Sequence, residues 1–247
     1  MGDILLDVLP GSATNPLDTL LRTIAKTEFR EEVGVAAGLV EDLQNHLLFS
    51  DELPSIQAVA ARRRRTFIAG RACAHAALSE LGLEPRSIPS GRSGLPVWPP
   101  NVLGSISHTD RFAAAIVSNN ASLLALGLDV EGDEPFEDGI AVGLVSRPEE
   151  LRPGLDPSHH SNLERGKLLF VIKEAIYKAY YPRYGSFLEF HDVRVSINEE
   201  RGTFDAEVLG GPRFQTLVES PLRGRFAFTS GLIVAICSQQ QNLIRLA

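Results

Sequence analysis

The sequence has few of the features that mark several classes of protein. Its 247 residues include only two cysteines, Cys73 and Cys237, which form neither a CxxC pair nor a zinc-finger spacing. We therefore expect reduced thiols that pack as small hydrophobic side chains. No apolar run reaches the length of a membrane span, and the opening residues "MGDILLDVLP" lack a basic secretory leader. These absences predict a cytoplasmic protein that does not act on a membrane.

A positive net charge is also missing. The formal net charge is -7, which argues against a general nucleic-acid binder, because such proteins are usually basic over the contact face. Hydrophobic residues make up 44% of the chain, enough to bury a sizeable core as one large domain or two smaller lobes. An anionic ligand would have to be bound by local basic groups.

Helical and strand patterns are mixed along the chain, which indicates an α+β fold. Residues 55–83 and 162–181 have helical periodicity, and Gly82 is a plausible end for the first helix. Strands are predicted within residues 102–110, 111–119 and 122–130, and antiparallel strands within 187–208 and 223–239. Residues 132–162 are predicted to be a long surface connection with one short helix.

The stretch "GLDVE" places two carboxylates at strand spacing. Side chains alternate along a strand, so Asp129 and Glu131 are expected to share one face while Val130 points into the protein. Paired carboxylates suit Mg²⁺, which takes carboxylate, phosphate and water oxygens. The alternative is a solvated acidic turn at the end of a strand.

The stretch "KEAIYK" places Glu174 and Lys178 four residues apart on the second predicted helix. Read alone, this spacing is that of an ordinary surface ion pair. The aromatic side chains of Phe170, Tyr177 and Tyr181 fall on the same side as these charges. We therefore expect this side of the helix to be covered.

Basic and polar groups that suit an anion precede these acids in the chain. His108 closes "GSISH", where serines and an imidazole can donate hydrogen bonds, although a lone histidine is often structural. The arginines at 62–65 and Arg71 lie on the first predicted helix. They are either a solvated face or, in part, ligands for a phosphate.

Five stretches occur in one order: "RRRRTFIAGR", "GRSGLPVWPPNVLGSISH", "GLDVE", "LLFVIKEAIYKAYY" and "LRGRFAF". Together they resemble the 4'-phosphopantetheinyl transferases, and more narrowly the monomeric group that includes enterobactin synthase component D. The resemblance covers about residues 36–238 and leaves the first thirty-five or so as an unassigned extension. It implies transfer of the phosphopantetheine of coenzyme A to a serine of an apo acyl or peptidyl carrier protein, with release of adenosine 3',5'-bisphosphate.

The resemblance also implies roles for the acids and lysines. Asp129, Glu131 and Glu174 correspond to Mg²⁺ ligands on the pyrophosphate, and Glu174 to the base that takes the serine proton. Lys178 corresponds to the lysine that contacts the pyrophosphate and neutralises or protonates the leaving group, and Lys173 adds positive charge nearby.

Further residues are implied to contact coenzyme A. Ser107 and His108 match the phosphate-contacting end of the histidine motif, and Arg63 and Arg71 match basic positions near the 3'-phosphate and adenine. The adenine-side loop corresponds to Ser90, Gly91, Arg92 and Ser93. Several relatives have a lysine where this chain has Leu95, so that contact is missing or is replaced by Arg92.

By resemblance, the fold is two similar α+β lobes related by a pseudo-twofold axis, residues 1–120 and 121–247, with the cofactor in the cleft between them. The protein is expected to be a monomer. Two alternatives are a Mg²⁺-dependent nucleotide pyrophosphatase and a non-catalytic module that binds coenzyme A or a carrier. The intact set of Asp129, Glu131, Glu174 and Lys178 argues against the second.

Overall fold

The computed structural model of the chain describes residues 15–29, 32–91, 93–209 and 220–241, which form a mixed α/β fold with two sheets. The helices of this part of the chain are α1 (Pro16–Phe29), α2 (Val40–Leu43), α3 (Ala61–Glu80), α4 (Gly139–Val145) and α5 (His160–Tyr184). Its strands are β1 (Gly34–Leu39), β2 (Leu103–His108), β3 (Phe112–Ser118), β4 (Leu123–Gly132), β5 (Val193–Asn198), β6 (Thr203–Val208), β7 (Leu222–Thr229) and β8 (Leu232–Gln240).

The strands divide into a first sheet in the order β1-β3-β2 and a second in the order β4-β8-β7-β6-β5. All their pairings are antiparallel. The chain passes from one sheet to the other between Ser118 and Leu123. The three strands predicted in the middle of the chain are confirmed as β2, β3 and β4, and the antiparallel strands predicted near its end as β5 to β8.

Each sheet carries one long helix at very close range. A Cβ added to Gly34 of β1 would lie 2.0 Å from the carbonyl oxygen of Ala77 in α3. A Cβ added to Gly127 of β4 would lie equally close, 2.0 Å, to the carbonyl oxygen of Ala175 in α5. Only glycine, which has no Cβ, lets the helix come this close to the strand. Each of the two helix–strand crossings therefore depends on a glycine in the strand. The predicted end of α3 is confirmed, since Gly82 follows it with a φ of +75°.

Strand β4 separates two parts of the core. Leu126, Leu128 and Val130 pack with α1 and the first sheet, while Ala125 packs with α5 on the other face. The predicted inward position of Val130 is confirmed, because this side chain is buried. Asp129 therefore projects from the face that α5 covers.

The sequence patterns did not explain α1. Its buried side chains Leu17, Leu21 and Phe29 join a cluster that contains residues of both sheets. Glu28 of α1 also forms an ion pair of 3.0 Å with Arg225 of β7. The helix thus ties the first sheet to the second.

The connection between β4 and α5 contains α4 and a 3₁₀ turn, Pro148–Glu150, so the prediction of one short helix is confirmed. Cys73 and Cys237 are free and buried, as expected, and burial raises the pKa of the Cys73 thiol to about 12. Within the described ranges, no helix combines the length and apolar character needed to cross a membrane.

Candidate functional site

Serine side chains join the two sheets at the site. The Ser105 hydroxyl oxygen accepts a hydrogen bond of 2.9 Å from the Leu128 N–H, and that of Ser107 accepts one of 3.1 Å from the Val130 N–H. Ser107 also donates to the Oδ1 atom of Asp129 over 2.9 Å. The end of β2 is therefore fixed beside the acidic end of β4.

Asp129 is a buried carboxylate with one oxygen satisfied and one without a partner. It is only 3% exposed, and its Oδ1 atom lies 2.6 Å from the Nζ atom of Lys178. Its Oδ2 atom is buried and has no hydrogen-bond partner within the described part of the chain. A buried oxygen without a donor is costly, so this atom is a candidate ligand for a cation.

The two other predicted metal ligands lie near enough to Asp129 to interact with it. Burial raises the pKa of Glu131, and the charge of Asp129 raises it further. Burial and then Asp129 likewise raise the pKa of Glu174, while Lys178 partly opposes this. Lys167, which the sequence patterns did not single out, places its Nζ atom 3.8 Å from a Glu131 oxygen. The acids repel each other and would be stabilised by a shared cation.

The carboxylates do not form a ready-made metal cage. Within the described ranges, no group of three or more histidine, cysteine, aspartate or glutamate side chains is arranged to hold a metal ion. The donor chemistry nevertheless fits a hard cation, because all three groups are carboxylates and one buried oxygen lacks a partner.

Arg63 and His108 form the basic edge of the site. The Nη1 atom of Arg63 lies 2.7 Å from the Nε2 atom of His108. Because arginine has no acceptor, His108 must accept here, which makes the imidazole neutral. Burial lowers the pKa of His108, and the charges of Arg63 and Lys178 lower it further.

Arg71 anchors the predicted adenine-side loop. This side chain is buried, donates from Nε to the Ile88 carbonyl over 2.6 Å and from Nη2 to the Ser90 hydroxyl over 3.4 Å. Burial lowers its pKa to about 10, so it stays charged at neutral pH. The Gly91 N–H donates to the Leu95 carbonyl over 2.8 Å, which closes the turn that contains Ser93.

Arg92 lies outside the described residues. All four arginines of the run are exposed, but Arg63 alone among them contacts His108 in the described part of the chain, whereas Arg62 pairs with Asp110. The alternative of a solvated helix face therefore suits most of the run but not Arg63.

A cavity of about 430 Å³ adjoins the basic groups of the site. Its walls come from α3, β2, β4, α5 and the turn at residues 94–98, so both sheets contribute. The polar side chains at its wall include Arg63, Arg71, His108 and Lys178. Leu95, at the position where several relatives have a lysine, forms part of the apolar wall.

A second cavity of about 670 Å³ lies on the other side of Tyr177, which lines both. Its lining includes Glu174 and the apolar side chains of Leu144, Phe187 and Phe190. Glu174 and Lys178 therefore stand on the same face of α5, each at the edge of a different cavity. This face of α5 is only partly covered, since Glu174, Tyr177 and Lys178 are half-buried, and a covering ligand stays a prediction.

Lys173, another predicted site residue, has its ammonium group bonded inside the protein. It is 2% exposed, and its ammonium donates to the Val145 carbonyl, Glu150 Oε2 and the Phe190 carbonyl over 2.9, 2.7 and 2.9 Å. All three hydrogens are used inside the protein. Lys173 thus forms an internal ion pair with Glu150, an acid that no sequence motif had indicated, and its contact with coenzyme A stays a prediction.

Ser107 makes its hydrogen bonds inside the protein, and its contact with a phosphate stays a prediction. Its hydrogen goes to Asp129, and its oxygen accepts from Lys178 over 3.1 Å. In this arrangement it holds the acid and the lysine in place and has no free hydrogen for a phosphate. Lys167 and Glu150 were missed because nothing in their local sequence distinguishes them from surface charges on helices and turns.

Comparisons with known proteins relate the chain to one family. Residues 51–118 match the family model described as the 4'-phosphopantetheinyl transferase N-terminal domain. The chain is 36% identical to 4'-phosphopantetheinyl transferase Svp of Streptomyces mobaraensis, over 76% of this chain and 77% of the relative. It is 31% identical to PptT of Mycobacterium tuberculosis, over 80% and 92% of the two chains, and 37% identical to Npt of Nocardia iowensis, over 67% and 72%.

Proposed function

The chain belongs to the 4'-phosphopantetheinyl transferase family, and from this premise we propose that it moves the phosphopantetheine of coenzyme A to a serine of an apo acyl or peptidyl carrier protein. The observation that carries the proposal is the placement of Glu174 and Lys178 on one face of α5. Lys178 borders the cavity of about 430 Å³, here called the basic cavity, and Glu174 borders the largely apolar cavity of about 670 Å³. Such a placement suits a cofactor with an anionic nucleotide at one end and an uncharged arm at the other.

We further propose that the fold is two lobes, residues 1–120 and 121–247, related by a pseudo-twofold axis. Each contains a strand, a connection with a short helix, a long helix and further strands, and in each the last strand pairs with the first. The equivalent glycine crossings at Gly34 and Gly127 support this relation. The nucleotide would lie in the cleft between the lobes.

In that cleft, the adenosine 3'-phosphate is assigned to Arg63 and Arg71, and the adenine to the turn that contains Ser90, Gly91 and Ser93. The pyrophosphate is assigned to His108 and Lys178. The pantetheine arm fits the second cavity, whose lining beyond Glu174 is largely apolar.

Asp129, Glu131 and Glu174 would hold a Mg²⁺ ion. When bound, such an ion offsets the negative charge that builds up on the phosphate oxygens. The unpartnered Oδ2 atom of Asp129 and the raised pKa values of the two glutamates support this assignment.

Proton transfer is assigned to α5. Glu174 accepts the proton of the serine hydroxyl, directly or through water, and its raised pKa makes it a better base. The serine oxygen forms a bond to the phosphorus that bears pantetheine, and the bond from this phosphorus to the bridging oxygen breaks. Lys178 neutralises or protonates the leaving adenosine 3',5'-bisphosphate.

A mass measurement tests the proposal directly. The protein is incubated with coenzyme A, Mg²⁺ and a panel of apo carrier domains, and each carrier is weighed. We expect one carrier to gain one phosphopantetheine while adenosine 3',5'-bisphosphate is released in equal amount. Release of the bisphosphate without growth of any carrier would instead indicate hydrolysis. We propose that the enzyme works in the cytoplasm as a monomer, since one chain supplies both cavities.

A further inference from the structure

Glu52 is a fully buried acid to which no motif assigned a role. It precedes the 3₁₀ turn Leu53–Ile56 and is 0% exposed. Its Oε2 atom accepts a hydrogen bond of 2.9 Å from the Phe49 N–H, and its Oε1 atom accepts bonds of 2.8 Å from the Ile88 N–H and 2.9 Å from the His75 ring. One carboxylate thus joins the turn, helix α3 and the segment that leads into the loop at 88–96.

The loop that follows this segment lines the basic cavity with Gly94, Leu95 and Pro96. Ile88 is held at both ends, because its N–H donates to Glu52 and its carbonyl accepts from Arg71. The Nε atom of Arg71 lies 4.0 Å from the Glu52 Oε1 atom, and its Nη2 atom reaches the hydroxyl of Ser90. Removing the charge of Glu52 would release the restraint on both Arg71 and the start of the loop.

The second half of the chain contains a matching acid. Glu150 accepts hydrogen bonds of 2.7 Å from the Arg147 N–H, three residues earlier, and from the Val195 N–H of β5. It also accepts one of 2.7 Å from Lys173 of α5, as Glu52 accepts from His75 of α3. The two acids share burial and bonding pattern, but Glu52 adjoins Arg71 and Glu150 adjoins the lysine that precedes Glu174.

We propose that Glu52 is a positioning residue for the nucleotide end of coenzyme A, acting through Arg71 and the segment from Ile88 to Ser90. The proposal rests on the proposed function. His75 supplies the donor from α3, and its Nδ1 atom lies 3.1 Å from the Nε2 atom of His46 at the surface, which completes the chain of hydrogen bonds.

Glu52→Gln tests this against a matched control, Glu150→Gln. A glutamine has one side-chain oxygen, so neither variant can accept all the N–H donors around the native carboxylate. For Glu52→Gln we expect calorimetry to show about tenfold weaker binding of adenosine 3',5'-bisphosphate. The KM for coenzyme A should rise by a similar factor while kcat changes little. We expect a lower melting temperature for both variants. Glu150→Gln should nevertheless bind the bisphosphate with unchanged affinity.

Two outcomes of that comparison would overturn the proposal. The first is an unchanged bisphosphate affinity in folded Glu52→Gln. The second is an equal loss in both variants, which would indicate a general loss of structure. If wild-type protein neither binds the bisphosphate nor modifies a carrier, the proposed function itself has failed. If it does both and Glu52→Gln behaves like wild type, only the role of Glu52 has failed.

A second pair of variants applies if Glu52→Gln does not fold. His75→Leu removes the donor from α3, and His75→Lys introduces the residue type that partners Glu150. We expect about threefold weaker bisphosphate binding for His75→Leu and recovery to the wild-type value for His75→Lys. Wild-type affinity in His75→Leu, or an equal loss in both variants, would contradict the proposal.

Discussion

The halves of the protein built on the first and second sheets contribute charges of opposite sign to the site. The first supplies the cations Arg63 and Arg71 at the wall of the basic cavity, together with the neutral imidazole of His108. The second supplies the three carboxylates, together with Lys178, which reaches the buried Asp129, and Lys167, which lies beside Glu131. Under the proposed function, this difference would divide the work: the first half would bind the anionic end of the cofactor, and the second would carry out proton transfer.

The largest expected effect comes from removing the base on the acidic side. In Glu174→Gln we expect the transfer rate at saturating substrate to fall about 10²–10⁴-fold, because an amide cannot accept the serine proton. Bisphosphate binding without Mg²⁺ should persist, since the basic side is intact. Carrier mass and calorimetry measure the two quantities.

The control for that variant is Glu164→Gln on the same helix. Glu164 is exposed, forms an ion pair with His160 and lines neither of the two cavities. It should keep full activity. Near wild-type transfer in Glu174→Gln would show that another group takes the proton.

A second prediction separates a structural lysine from a catalytic one within the acidic half. Lys173→Met leaves the buried charge of Glu150 without its cation, so we expect the free energy of unfolding to fall by about 3–5 kcal/mol. Urea denaturation followed by circular dichroism measures this change. Lys26→Met, at an exposed position of α1, should change the free energy by about 0.5 kcal/mol or less.

A different result would support the contact between Lys173 and coenzyme A that the resemblance implies. If Lys173→Met kept wild-type stability but raised the KM for coenzyme A, the lysine would contact the cofactor after all.

The smallest expected effect is a pH dependence on the basic side. Burial, Arg63 and Lys178 lower the pKa of His108, so the imidazole is neutral in the free protein at neutral pH. A bound phosphate favours the protonated form, so binding takes up a proton. Affinity for adenosine 3',5'-bisphosphate should therefore rise as the pH falls from about 8 to about 6, by at most about tenfold.

His108→Gln is the reference for this measurement, because the phosphate groups of the ligand titrate equally with both proteins. The difference between the two pH profiles, taken by calorimetry, isolates the histidine. A steeper or equal slope in the variant would exclude His108 as the group that takes up the proton.

Much of the secondary structure was predictable because it depends on local patterns. The apolar stripes predicted α3 and α5, and alternation predicted the strands and the inward position of Val130. Helix α1 was missed, although its buried side chains follow a helical spacing, because the resemblance did not extend to it.

The candidate site was predictable as a set of motifs but not as a set of contacts. The acids, His108 and Arg63 were indicated by their residue types and order. The internal role of Lys173 was not, because a lysine beside a glutamate in a helix has the same sequence whether it faces a ligand or a buried acid. Ser107 was expected to contact a phosphate, and in the structure its hydrogen goes to Asp129.

The sequence by itself determined the periods of the helices and strands, the glycines that allow close crossings, and the family, since all of these depend on residue identity and spacing along the chain. Only the tertiary structure decided which charges meet. Asp129 and Lys178 are 2.6 Å apart although 49 residues separate them, and Lys173 is turned to Glu150 although it adjoins Glu174. The partner of a charge is set by which elements pack together, and side-chain spacing within one element does not contain that information.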